Sequence, residues 1–138
     1  FLRRVRLLDG VAAVVQESWL PHAVCPGLLD EENVADLSLY TVLTERYGLD
    51  LARGHTVISA RLATAEERDL LELSDPAAVL TVDQLTSTRE GRPVELSNSV
   101  YHPHRYPLSI VHGDTAAPRG MATGQYQQAA RWPNATVK

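Results

Sequence analysis

The sequence predicts an α+β fold in which one antiparallel sheet packs with a few short helices. Two β-prone arms flank the pair Asp9-Gly10, the strongest short-range signal for a hairpin. Two later β-prone segments, 78–86 and 94–101, are joined by the turn sequence "REGRP". Between these hairpins, two short segments carry helix start signals and apolar residues at helical spacing. Hairpins mixed with short helices indicate one sheet with its helices on one side.

The first half of the chain predicts two strands, a connection and one helix. The arms "FLRRVRLL" and "VAAVVQESWL" are predicted strands, and "PHAVCPGLLDEENVAD" is a connection with a short helical turn around Leu28. A helix follows in "DLSLYTVLTERYG", with Asp36 or Ser38 as its N-cap and Gly48 just past its end. Its apolar residues lie at helical spacing: Leu39, Val42, Leu43 and Tyr47.

The second half predicts three strands and a second helix. "GHTVISARLA" is a strand, and Thr64 with Glu67 forms a capping box that opens a helix over Ala65–Leu71. The strands 78–86 and 94–101 follow. From Gly113 the apolar periodicity is lost, so we expect a domain over 1–112 and a flexible C-terminal extension over 113–138.

Composition excludes several classes of function. The 138 residues are 44% hydrophobic and 22% charged, with a formal net charge of −4, which fits one globular domain without the basic surface that DNA binding needs. The apolar runs are far too short to cross a membrane, and no leader precedes them. We therefore expect a cytoplasmic protein without membrane contact. The single Cys25 is expected to be a buried apolar filler.

The strand 94–101 presents one apolar and one polar face. Side chains alternate along a strand, so alternate residues share a face. The expected core face holds Val94, Leu96, Asn98 and Val100, and the polar face holds Glu95, Ser97, Ser99 and Tyr101. A solvent-exposed sheet surface is the plain alternative for the polar face. An acid, hydroxyls and a phenol in one row instead favour contact with a polyhydroxylated ligand.

The histidines that follow this strand do not form a predicted metal site. His102 and His104 flank Pro103, which ends the strand, and two histidines are too few for a zinc or iron site. The chain has no G-x-S-x-G motif, and Cys25 has no evident catalytic partner. We therefore predict no metal, no cofactor and no catalytic residues.

A second group of residues predicts an anion-binding site. Arg4 and Arg6 are two residues apart in a strand, so their side chains lie on one face and can converge on a phosphate or carboxylate. Ser38 opens the first helix, where free backbone N–H groups attract anions. Solvated charges and a plain N-cap are the structural alternatives. Together with Glu95, Ser97 and Tyr101, these residues predict a pocket for a small polar anion.

The order of these motifs resembles the UTRA effector-binding domain of HutC-subfamily regulators in the GntR superfamily. The resemblance spans about Arg4 to Leu108 and rests on "RVRLLDG", "LSLYTVLTERYGL", "ISARLATAEERDLLEL" and "REGRPVELSNSVYHPHRYPL". It implies a chorismate lyase-like fold that often forms homodimers. It also implies a bacterial transcription regulator, in which a small effector such as a sugar phosphate alters DNA binding by a separate winged helix-turn-helix domain.

The resemblance also implies which residues contact the effector. Arg4 and Arg6 would bind its anionic group, Ser38 lies at the helix start, and Glu95 and Tyr101 would contact its polar part. The position of a further family acid falls on Gln16. A two-residue hairpin turn would put Glu17 on the arginine face, whereas a three-residue turn with a bulge would put Gln16 there. His104 stands where the family usually has Asp.

The resemblance leaves competing functions to compare. The winged helix-turn-helix is not in the sequence, so we expect DNA contact only through an N-terminal domain outside this chain. The usual opening strand and helix of the domain are not in the sequence either, so we expect unpaired strand edges, which favour dimerisation. An enzyme acting on a small carboxylic acid on the same fold is the alternative, because fold alone does not determine function. A pure dimerisation module is the third possibility.

Overall fold

The computed structural model describes residues 1–30 and 38–106, which form one five-stranded antiparallel sheet with two α-helices. The strand order across the sheet is β1-β2-β5-β4-β3. In chain order the elements are β1 (Leu2–Leu8), β2 (Val11–Trp19), a 3-10 helix (Leu28–Asp30), α1 (Leu39–Glu45), β3 (Leu51–Leu62), α2 (Ala65–Leu71), β4 (Ala78–Thr88) and β5 (Pro93–Tyr101). The predicted α+β class and every predicted helix and strand are confirmed. The alternative cap Asp36 and the expected extension 113–138 lie outside the described residues.

The first hairpin combines a two-residue turn with a β-bulge. Asp9 and Gly10 both have positive φ, 51° and 81°, and the flanking Leu8 pairs with Val11. The register then shifts, because Ala13 is an extra residue in β2 that opposes no residue of β1. Arg4 therefore pairs with Gln16, and Arg6 with Val14. The bulge puts Gln16, and not Glu17, on the arginine face, which resolves the alternative that the sequence left open.

Paired residues of neighbouring strands share a face of the sheet, which defines two surfaces. The row Arg4, Gln16, Ser99 and Val82 marks the first, here called the pocket face. The row Val5, Val15, Val100 and Thr81 marks the second, here called the opposite face.

Helix α1 packs on the pocket face. Ser38 is its N-cap, and the Ser38 Oγ accepts a hydrogen bond from the Thr41 backbone N–H at 3.5 Å. Beyond the helix end, Gly48 adopts a φ of +63°, the left-handed conformation that favours glycine. The buried side of α1 packs in a cluster with Val24, Cys25, Leu28 and Val94. Cys25 is a buried free cysteine in this cluster.

Helix α2 packs on the opposite face, so the expectation of helices on one side was wrong. Its Leu71 is completely buried in a cluster with Ala12, Val15, Val79 and Val100. The predicted capping box at Thr64 and Glu67 is present. Two hydrogen bonds from Arg61, with help from the Thr64 backbone, lower the pKa of Glu67 to about 2. The helix amphipathicity predicts a buried side but cannot say which face of the sheet receives it.

The expected core position of Leu96 was wrong. Leu96 is 51% exposed, because α2 covers only the end of the opposite face near Val100 and leaves Leu96 beside the exposed Trp19 and Leu85. Val94 is fully buried for another reason. It is the bulged residue where the pairing of β4 and β5 shifts, and it packs against α1 together with Leu39 and Leu43.

The turn after β5 is organised by His102 and Arg105. The Nδ1 atom of His102 accepts the backbone N–H groups of His104 and Arg105, both at 3.1 Å. Burial and the positive charge of Arg105 lower the pKa of His102, which favours this neutral, accepting form. Arg105 donates to the carbonyl oxygens of Ala12 and Leu71 and contacts Glu72, so it ties the turn to β2 and α2. Within residues 1–30 and 38–106, no helix is long and apolar enough to cross a membrane.

Candidate ligand-binding site

A polar cavity of about 130 Å³ lies on the pocket face beneath the start of α1. Strands β1, β2, β4 and β5 supply its floor. All seven residues predicted from the sequence line it: Arg4, Arg6, Gln16, Ser38, Glu95, Ser97 and Tyr101. Five further residues complete the described wall: Leu39, Tyr40, Val82, Gln84 and Ser99. The sheet therefore brings together residues that are up to 97 positions apart in the sequence.

Two of the three arginines of β1 are buried cations on the pocket face. Arg4 is 2% exposed and Arg6 is 8% exposed. Burial and the like charge of Arg6 lower the pKa of Arg4 to about 10, and burial also lowers the pKa of Arg6. Arg4 stays protonated at neutral pH, because a pKa of about 10 is well above 7. The Arg6 Nε donates to the Gln16 Oε1 at 2.8 Å, which orients the guanidinium on the pocket face.

Glu95 is the buried acid of the cavity. It is 1% exposed, and neither carboxylate oxygen has a hydrogen-bond partner among the described residues. A buried charge without a hydrogen bond is costly, so such a group is a feature that requires explanation. The polar face of β5 is thus enclosed in the site and is not the solvent-exposed surface of the plain alternative.

Tyr40 forms a polar cluster with β4 next to Glu95. Its hydroxyl shares a 2.8 Å hydrogen bond with the Thr86 hydroxyl and accepts the Gln84 Nε2 at 2.9 Å. Burial and the nearby Glu95 charge raise the pKa of Tyr40 to about 12, so its hydroxyl is protonated at neutral pH. The Glu95 carboxylate is near enough to the phenol to raise its pKa. The Tyr40 hydroxyl makes its hydrogen bonds with Thr86 and Gln84.

Sequence reasoning missed five residues of the wall, which lie in α1, β4 and β5. Ser99 follows from the same alternation as Ser97, so the pattern of β5 was sufficient to find it. Val82 and Gln84 carried no signal, because their position depends on the β4–β5 register, in which Val82 pairs with Ser99 and Gln84 with Ser97. Tyr40 follows the Ser38 cap by two residues, but only the packing of α1 on the sheet brings it over the cavity.

Three larger clefts of the described structure have less polar linings. Their volumes are about 360 Å³ around Val79, about 300 Å³ around Trp19 and Leu96, and about 280 Å³ around Phe1 and Leu28. None of the three contains a pair of buried cations. Among residues 1–30 and 38–106, no group of three or more His, Cys, Asp or Glu side chains is placed to hold a metal ion.

The fold matches that of solved effector-binding domains of GntR-family transcription regulators. The family model of the UTRA domain matches residues 1–107. The chain therefore belongs to the UTRA domain family, the effector-binding domains of GntR-family transcription regulators.

The similar full-length proteins are bacterial helix-turn-helix regulators. The chain is 29% identical over 98 residues to the transcriptional regulator GgaR of Escherichia coli K12, covering 71% of this chain and 38% of that protein. It is 27% identical over 111 residues to the transcriptional repressor NagR of Bacillus subtilis, covering 80% and 44%. The chain thus spans about two fifths of the length of these curated relatives.

Solved structures share the fold. The effector domain of PhnF from Mycobacterium smegmatis superposes with a TM-score of 0.74 at 23% identity, covering 80% of this chain and 68% of that one. The ligand-binding domain of a GntR-family regulator from Bordetella bronchiseptica gives a TM-score of 0.72 at 23% identity, covering 80% and 72%. At this identity the likeness supports the fold alone.

Proposed function

We propose that this domain binds a small anionic metabolite, such as a sugar phosphate, without converting it, and that binding alters DNA affinity of a winged helix-turn-helix domain in the same regulator. The pair of buried arginines on the pocket face carries the proposal. Arg4 and Arg6 are shielded from water, where a charge-assisted hydrogen bond to an anion is stronger than at the surface. Gln16, Ser97 and Tyr101 supply uncharged contacts for the rest of the ligand, and Glu95 supplies a carboxylate.

The proposed setting is a cytoplasmic homodimer that contacts DNA only through the other domain and has no membrane partner. The described surface gives a reason for dimerisation. Strand β3 is 12 residues long, lies at the sheet edge and exposes Val57 and Ile58 on its two faces. An uncovered edge with apolar side chains favours pairing with another chain.

The function is tested with the full-length regulator and its operator DNA. We expect a phosphorylated or carboxylated metabolite that binds the domain in calorimetry to change operator affinity in a gel shift, and mass spectrometry to recover it unchanged. Such a change would show that ligand binding in this domain and DNA binding by the other domain are thermodynamically coupled. Turnover of the ligand would support the enzyme alternative. If operator affinity is the same with and without bound ligand, the regulatory role is contradicted.

Neighbouring residues on opposite faces of β2 provide a test of the site. Gln16→Ala is expected to weaken binding of that ligand roughly two- to tenfold, because it removes one neutral hydrogen-bonding side chain and the acceptor that orients Arg6. Glu17→Ala should leave affinity unchanged in calorimetry, since Glu17 lies on the opposite face and pairs with Arg3 at 3.3 Å. Equal losses in both variants would place the ligand elsewhere.

A further inference from the structure

The turn that follows β5 is anchored to the elements around it. The backbone N–H of His102 donates to the carbonyl oxygen of Ala13 at 2.8 Å. The Nδ1 atom of His102 accepts the backbone N–H groups of His104 and Arg105. The Arg105 side chain donates to backbone carbonyl oxygens in β2 and α2. These contacts fix the course of the backbone up to the next residue, Tyr106.

Tyr106 packs against Tyr101, a residue of the cavity wall. The ring centroids are 5.0 Å apart with the planes tilted by 44°, and both rings pack in a cluster with Val82. Burial and the nearby Tyr106 phenol raise the pKa of Tyr101, against the lowering effects of the Ser99 hydroxyl and the Arg6 charge. The Tyr101 hydroxyl therefore lies near two residues that line the cavity. The described lining includes Tyr101 but not Tyr106.

Tyr101 lies between two spaces on the described surface. It lines the polar cavity of about 130 Å³ and also the cleft of about 360 Å³ around Val79. A tyrosine side chain rotates about single bonds between staggered conformations. Because the cleft offers space beside the ring, a contact is needed to keep the ring in the cavity wall, and Tyr106 provides one.

We infer that Tyr106 is a positioning residue of the ligand cavity and that His102 acts through it. The inference rests on the proposed function, because it assigns to this turn the task of holding Tyr101 in place for the effector. A side chain that already has its bound conformation loses no rotamer freedom on binding, which strengthens binding. The alternative is a turn that only stabilises the fold by joining β2 to α2.

Conservative variants separate positioning from stability. His102→Asn keeps a side-chain oxygen that can accept the same two backbone N–H groups, as in an Asx turn, whereas His102→Ala removes the acceptor. Tyr106→Phe keeps the ring, whereas Tyr106→Ala removes it. Thermal melts record the stability of each variant. Tyr106→Leu replaces Tyr106→Ala if the alanine variant does not fold.

The position of Tyr101 is measured without a ligand, in crystal structures of the parent chain and of the four variants. We expect the ring to keep its parent position in His102→Asn and Tyr106→Phe. In His102→Ala and Tyr106→Ala it should turn towards the cleft around Val79 or occupy two conformations. A ring that keeps its parent position in either alanine variant overturns the inference.

Calorimetry with inorganic phosphate and glucose 6-phosphate measures the consequence for binding. We expect Tyr106→Ala and His102→Ala to weaken binding of glucose 6-phosphate about two- to tenfold, the scale of ordering one side chain. Both losses should disappear in a Tyr101→Ala background, because the two residues act through Tyr101. Losses that persist there overturn the inference. Failure of the parent to bind either probe counts against the proposed function, and the ligand-free structures still decide the inference.

Discussion

Replacing Leu71 by alanine is expected to lower the free energy of unfolding by about 2–5 kcal/mol. Leu71 is 0% exposed and is the buried residue through which α2 joins the cluster on the opposite face. Truncation removes apolar contacts and leaves a cavity that the sheet cannot close, because Val15, Val79 and Val100 are held by strand pairing. Urea denaturation followed by circular dichroism measures the change.

Leu96→Ala is the matched control for this substitution. The same atoms are removed from a side chain that is 51% exposed, so we expect a loss of about 0.5 kcal/mol or less. The sequence pattern alone would have assigned Leu96 to the core and predicted the larger value. If the two variants lost similar stability, the positions of α2 and of the uncovered half of the opposite face would be wrong.

Replacing Arg6 by alanine is expected to weaken binding of an anionic effector by about 1.5–3 kcal/mol, or roughly 10- to 150-fold in affinity. Arg6 is a buried cation whose guanidinium is oriented by Gln16, so its loss removes a charge-assisted hydrogen bond in a site of low dielectric. Calorimetry with the parent's ligand measures the effect, and a thermal melt shows whether the variant remains folded at the temperature of the titration.

Arg3→Ala controls for the loss of one positive charge from the same strand. Arg3 lies on the opposite face, where it pairs with Glu66 at 2.7 Å and with Glu17 at 3.3 Å. Exposed ion pairs of this kind contribute about 0–1 kcal/mol to stability, and none of them reaches the cavity. Binding should therefore be nearly unchanged. An Arg3→Ala variant that weakens binding as much as Arg6→Ala would indicate a general charge effect and argue against a specific contact.

The sequence by itself determined the helices and strands, and which side chains share a face within each strand. The Asp9-Gly10 turn and the capping box at Thr64 and Glu67 are local, because each is formed by residues no more than three apart. Alternation then placed Arg4 with Arg6, and Glu95 with Tyr101, on common faces. These short-range rules were sufficient to predict six of the seven residues that the structure brings to one cavity, and the seventh, Gln16, was predicted only from the family resemblance.

The tertiary structure decided how those faces meet. The bulge at Ala13 selected Gln16 over Glu17, since one extra residue inverts the facing of everything beyond it. Glu95 is enclosed and Leu96 is exposed because α1 packs on the pocket face and α2 covers only part of the opposite face. The packing of α1 also brings Tyr40 into contact with β4. The local sequence specifies which side of a helix or strand is apolar. Whether that side is buried depends on which distant segments of the chain pack against it, so burial is determined by long-range packing.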